Sequence, residues 1–180
     1  AQMSANRRGE VRLQALARKT GLTAFRAAVV DTNDYAERLA RSALQSIPEG
    51  EYSFSDVMDD DGAGTADVAL ECSLRVDADG ILVDLERCAD QVAGNTNCPP
   101  AVAAAAVFYA FRCLLPADTP ACAGTFRVVT LRTRDGSIVN ARRPAAVAAG
   151  NVETSMRLVD IVLGALAQAL PTRIPAASQG

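Results

Sequence analysis

A chain of 180 residues, 49% hydrophobic and 22% charged, has the size and composition of one folded unit, and its net charge of −3 shows no basic stripe of the kind nucleic acids recruit. It contains no histidine and one lysine, Lys19, against 17 arginines. An imidazole base, a His-ligated zinc and a Walker phosphate loop with its Gly-Lys pair are therefore excluded within it.

The five cysteines, Cys72, Cys88, Cys98, Cys113 and Cys122, are odd in number and show no C-x-x-C spacing, which argues against zinc ribbons and redox pairs. No apolar run reaches the ~18 residues of a membrane span, and no secretory peptide is visible. Reduced thiols in a cytoplasmic protein are expected. Residues 1–6 bring no initiator Met, N-cap or first-turn Pro, and residues 175–180 bring no tapering charged tail. An internal piece of a longer polypeptide is expected.

Residues 3–20 read as a helix closed by Gly21, a natural C′ residue. A second helix is expected from Leu22 to Ile47, with Phe25, Val29, Ala36, Ala40, Ala43 and Ile47 on one face and Pro48 and Gly50 as its stop. The short connection predicts an antiparallel helical hairpin over residues 1–48, followed by an α+β core over 49–180.

The period then changes to two. Tyr52 and Phe54 alternate with polar neighbours, and after Asp59-Asp60-Asp61-Gly62 the run Val68, Leu70, Cys72, Leu74, Val76 alternates with Ala69, Glu71, Ser73 and Arg75. One face is buried and one wet, the pattern of an antiparallel strand. Asp77-Ala78-Asp79-Gly80 turns the chain into a hairpin partner over Ile81 to Leu85.

An irregular Gly/Asn/Pro loop over 91–100 leads into Ala101–Leu115, which is apolar all round apart from Arg112 and so is expected to be a buried helix containing Cys113. Phe126–Thr133 reads as a strand and Arg134-Asp135-Gly136-Ser137 as a turn into Ile138-Val139. The last helix is expected from Asn151, with Val152, Met156, Val159, Leu163, Leu166 and Leu170 as its apolar stripe, Glu153 and Arg157 as an i,i+4 pair and Pro171 as its stop. The fold class is α+β, with a mostly antiparallel sheet, the N-terminal hairpin and two buried or amphipathic helices.

Three places carry candidate chemistry. Asp59, Asp60 and Asp61 are weak candidates for a hard cation, or a solvated turn without the spacing of a calcium loop. In Gly94-Asn95-Thr96-Asn97-Cys98-Pro99-Pro100 the amides of Asn95 and Asn97 either orient a polar substrate or cap the following helix, and Cys98 lacks a partner to lower its pKa. At Ala149-Gly150-Asn151-Val152-Glu153-Thr154-Ser155, Gly150 permits close backbone approach and Asn151 is a candidate N-cap. The first N–H groups there face whatever lies in front of the helix, a place for developing negative charge. Asn151, Glu153 and Ser155 are the expected catalytic residues, Glu153 either orienting a water or simply pairing with Arg157.

These segments, with Tyr109-Ala110-Phe111-Arg112-Cys113-Leu114 and Ala177-Ser178-Gln179-Gly180, occur in an order that resembles the hydantoinase B/oxoprolinase family along essentially the whole chain. The resemblance implies part of an ATP-dependent hydrolase opening small cyclic amides, of the 5-oxoprolinase or N-methylhydantoinase type. A ketone carboxylase subunit, or a non-catalytic structural piece of either, is the alternative. It implies ATP and Mg handled by a hydantoinase A-type partner subunit or domain, a possible divalent metal from an upstream His- and Asp-containing segment, and an oligomeric assembly. Asn95, Asn97, Gly150, Arg157, Ser178 and Gln179 become the expected substrate-binding residues. The chain departs from the family pattern at Met156, at Leu85-Glu86-Arg87 and at Cys122.

Overall fold

The computed structural model describes residues 2–177. Two helices, α1 (Gln2–Thr20) and α2 (Leu22–Leu44), open the chain, and Gly21 lies between them at φ +82°, as a C′ residue requires. Only the C-terminal half of α2 reaches the core, through Ala36, Ala40 and Leu44, with Ile47 just beyond. Val29 of the expected face is exposed, and α1 buries none of its residues.

Strands β1 (Gly50–Asp60), β2 (Ala66–Asp77), β3 (Gly80–Asp84) and β4 (Val129–Arg132) form one sheet in the order β1-β2-β3-β4. The first two pairings are antiparallel and β3–β4 is parallel. The period-two reading of β2 holds residue by residue: Val68, Leu70, Cys72, Leu74 and Val76 are all buried. In the β2–β3 hairpin, Leu74 stands opposite Val83 and Val76 opposite Ile81. Helix α3 (Pro100–Arg112) and helix α4 (Ser155–Ala169) cover this apolar face, α4 crossing β1 and β2. Burying each large aliphatic side chain contributes roughly 1.5–3 kcal/mol.

Three expectations are corrected. Over 126–133 the chain first makes a 3-10 turn, Ala123–Phe126, and only Val129–Arg132 is strand. Beyond the turn, Ile138 and Val139 are fully buried in a loop. Helix α3 is one-sided: Ala103, Ala106, Val107, Ala110 and Phe111 are buried while Tyr109 is 61% exposed, and Cys113, just past its end, is exposed. Of the stripe expected on the last helix, only Leu166 and Leu170 are buried. Leu158, Ile161, Val162, Ala165 and Leu166 face the core, whereas Met156, Val159 and Leu163 are half-buried and Val152 is exposed. The helix carries two apolar stripes, and contact with the sheet decides between them.

Candidate functional site

A groove of about 670 Å³ opens where the end of β1, the 91–100 loop and the first turn leading into α4 meet. Its architecture starts from buried polar groups that tie these segments together. Asp61, read from sequence as part of a solvated turn, is only 2% exposed. One carboxylate oxygen accepts the N–H groups of Ala63 (2.8 Å) and Thr65 (2.9 Å), and the other accepts that of Gly94 (2.9 Å). These amides, with Thr65 first, hold the Asp61 carboxyl well below the usual carboxylate range. The β1–β2 turn is thereby pinned to the 91–100 loop.

Asn97 performs the same task inside that loop. It is fully buried; its carbonyl oxygen accepts Val92 N–H (2.8 Å), and its amide nitrogen donates to the carbonyls of Val92 (2.9 Å), Gly94 (2.9 Å) and Ala146 (3.0 Å). The amide has no capacity left for a substrate, so this residue shapes the groove from behind. Cys98 is equally spoken for. Its thiol donates to the Gly150 carbonyl (3.0 Å), and burial pushes it up to about 12, far from a thiolate at neutral pH.

Gly150 does permit close approach, but to the protein itself. A Cβ there would stand 2.0 Å from the Asn97 carbonyl oxygen, and one on Gly94 would stand 1.8 Å from that of Asp61. The loop and the α4 approach are thus in backbone contact. The Thr154 hydroxyl fastens the same junction by donating to the Thr96 carbonyl.

The approach to α4 is a π-helical turn, Gly150–Thr154, with Ala149 rather than Asn151 in the capping position and no side-chain cap. Val152 N–H and Glu153 N–H donate to the Ala149 carbonyl (2.9 and 2.7 Å), and Ala149 N–H donates to the Asn95 carbonyl (2.9 Å). Those N–H groups are consumed internally, which removes the expected oxyanion-type donors at these positions. Asn151 is exposed and outside the groove lining, as is the half-buried Ser155.

What the groove does gather is Asn95, Glu153 and Arg157, joined by Asp56, Asp59 and Asp60 from β1. Arg157 does not pair with Glu153 as expected. It reaches across to Asp56 (3.2 Å) and along its own helix to Asp160 (3.8 Å), because strand β1 passes directly beside α4. Asp56 was missed by sequence reading; its signal is the even-numbered face that it shares with Phe54 and Met58. Thr96 was missed too. It is 8% exposed, lines the groove, and its hydroxyl has no hydrogen-bond partner among the described residues. Ser178 and Gln179 lie outside the described residues.

The groove does not fit a nucleotide. Carboxylates dominate its wall, the chain's single lysine lies on α1, and no Gly-rich loop runs into a lysine. Nor do the three adjacent aspartates converge on a cation: among the described residues no three His, Cys, Asp or Glu side chains are grouped to hold a metal ion. Asp61 faces amides instead.

Comparison with known proteins adds the following. The family model for hydantoinase B/oxoprolinase matches residues 1–180. The chain is 32% identical over 175 residues to 5-oxoprolinase 1 of Arabidopsis thaliana, covering 92% of this chain and 14% of that protein. Among solved structures it resembles the ATP-dependent caprolactamase from Pseudomonas jessenii, with a TM-score of 0.85 and 26% identity over 96% of this chain and 30% of that one. It shares the fold of an acetone carboxylase at a TM-score of 0.75 and 11% identity, covering 92% of this chain and 24% of that one. The chain thus spans a third or less of the length of these relatives.

Proposed function

The chain belongs to the hydantoinase B/oxoprolinase family, and on that premise we propose that it forms part of an ATP-dependent hydrolase acting on the C–N bond of small cyclic amides. The reading rests chiefly on one observation: Asn95 of the 91–100 loop meets Glu153 and Arg157, one turn apart on the helical run into α4, in a single groove. The likeness to a caprolactamase supports the same reaction class. Nucleotide and its magnesium belong, in this reading, to a hydantoinase A-type partner, since the sequence has no Gly-rich loop followed by lysine.

The chemistry asks for three things that the groove supplies. Water must lose a proton as it attacks the carbonyl carbon, and the exposed carboxylate of Glu153 is assigned to accept it and to return it to the ring nitrogen as the C–N bond breaks. The carbonyl oxygen must be held as charge builds on it, and the Arg157 guanidinium, fixed by Asp56 and Asp160, provides fixed donors. The ring N–H must be oriented, and Asn95, which lines the same groove, carries an amide suited to that task. Asn151 and Ser155, outside the groove lining, take no part in this scheme.

The test uses the intact polypeptide carrying this chain, with its nucleotide-handling partner and ATP, offered 5-oxoproline, hydantoins, lactams, and acetone with bicarbonate. Cyclic-amide hydrolysis is expected, and Glu153→Gln should lower kcat about 10²-fold or more with Tm unchanged. Carboxylation of acetone without amide hydrolysis, or full kcat after that substitution, would overturn the assignment.

A further inference from the structure

We infer that Thr154 is a positioning residue: its buried hydroxyl fixes Glu153 relative to Asn95 and thereby sets the turnover of the groove. The inference rests on the hydrolase reading above. Thr154 is fully buried and lies behind the groove lining. Its hydroxyl donates to the Thr96 carbonyl, 58 residues away in sequence. The residue before each partner lines the groove: Glu153 precedes Thr154, and Asn95 precedes Thr96. One hydrogen bond therefore ties together the two backbone segments that carry them.

The turn that carries Glu153 depends on such outside support. Gly150–Thr154 is π-helical, closed by Ser155 N–H on the Gly150 carbonyl, and no side chain caps it. Single π turns are rare and occur mostly at functional sites. This one is held at both ends against the 91–100 loop. Just before it, Ala149 N–H donates to the Asn95 carbonyl (2.9 Å), and at its start the Gly150 carbonyl accepts the Cys98 thiol (3.0 Å). A thiol is a weak donor and a hydroxyl a full one, so Thr154 is the stronger side-chain tie and the one adjacent to Glu153. Removing the hydroxyl leaves a buried carbonyl without that donor, and the two segments relieve it by moving apart. A displacement of about 1 Å between groups that act together costs about 10²-fold in rate.

The experiment uses the intact protein with its partner and ATP, assayed well below Tm on 5-oxoproline, hydantoins and lactams. Thr154→Val keeps the shape and removes the donor, and should lower kcat about tenfold or more. Thr154→Ser keeps the donor and loses a buried methyl, and should stay within about threefold of wild type. Val107→Ala, a buried truncation on α3 away from the groove, should lower Tm and leave kcat unchanged. A merely structural Thr154 would make kcat follow Tm through all three. Full kcat in Thr154→Val, or an equal loss in Thr154→Ser, overturns the inference and leaves the hydrolase reading standing. If wild type hydrolyses no cyclic amide, that reading fails, and hydrogen exchange decides the role of Thr154 without turnover. The Ala149 and Glu153 amides should then exchange about tenfold faster in Thr154→Val and at the wild-type rate in Thr154→Ser. Unchanged exchange in Thr154→Val overturns the inference. Should that variant not fold, Thr154→Ala takes its place with the same losses expected.

Discussion

At the scale of single residues, burial decides what each polar group does. The thiols show it plainly. Cys72, Cys88 and Cys98 are buried, and burial pushes Cys88 up to about 11 and Cys98 to about 12, whereas Cys113 is exposed and Cys122 is partly so. Native-state titration with a disulfide reagent should label Cys113 fast and Cys122 more slowly, and denaturation should bring the total to five. Rapid labelling of Cys98 in the folded chain would contradict the geometry around Gly150. Asp61 makes the complementary case. Its carboxyl pKa is lowered on folding, so its contribution to stability is present above the unfolded value of about 3.9 and is lost as pH falls through the lower folded value. Asp61→Asn should lower Tm near neutral pH by more than Asp59→Asn does, and the gap between wild type and Asp61→Asn should close below about pH 4. A constant gap down to about pH 2 would mean that the charge is not what matters.

At the scale of elements, packing explains where sequence patterning succeeded and where it did not. Strand β2 was fully legible because its two faces differ in polarity at every position, and a period of two admits only one way in. Helix α4 was legible as a helix but not in which of its residues face the core. Met156, Val159 and Leu163 form one stripe, Leu158, Ile161, Val162 and Ala165 another, and nothing local ranks them. Leu158→Ala should therefore cost ~2–5 kcal/mol as a core truncation, whereas Val152→Ala, at an exposed position, should cost no more than about 0.5 kcal/mol. Urea denaturation measures both, and the reverse order would restore the stripe read from sequence. Helix α1 is the opposite extreme. Its 19 residues bury nothing among the described residues, and isolated helices of that length are marginal in water. Hydrogen exchange on the isolated chain should find α1 amides exchanging far faster than those of α4. Equal protection would show that something in solution covers it.

At the scale of the whole molecule, the sheet and its two covering helices exist to hold three loops in register at one end of α4. Sequence reading located all three segments: the acidic turn, the Gly94–Pro100 loop and the Gly150–Ser155 turn. It could not assign labour within them, because an Asn beside a Gly has the same letters whether it braces the backbone or meets a ligand. The structure divides them. Asn97, Asp61, Cys98 and Gly150 hold the loops together, while Asn95, Glu153 and Arg157 line the groove. Asp56 and Thr96 joined the site only through contacts between segments distant in sequence, which local patterning does not carry.

The most direct measurement is an experimental structure of the intact protein, with its partner, bound to a slowly hydrolysed lactam. The ligand's amide edge is expected in the groove, its C=O within hydrogen-bond reach of Arg157 and its N–H or attacking water within reach of Glu153. A ligand bound elsewhere, with the groove filled by the protein's own chain, would contradict the assignment.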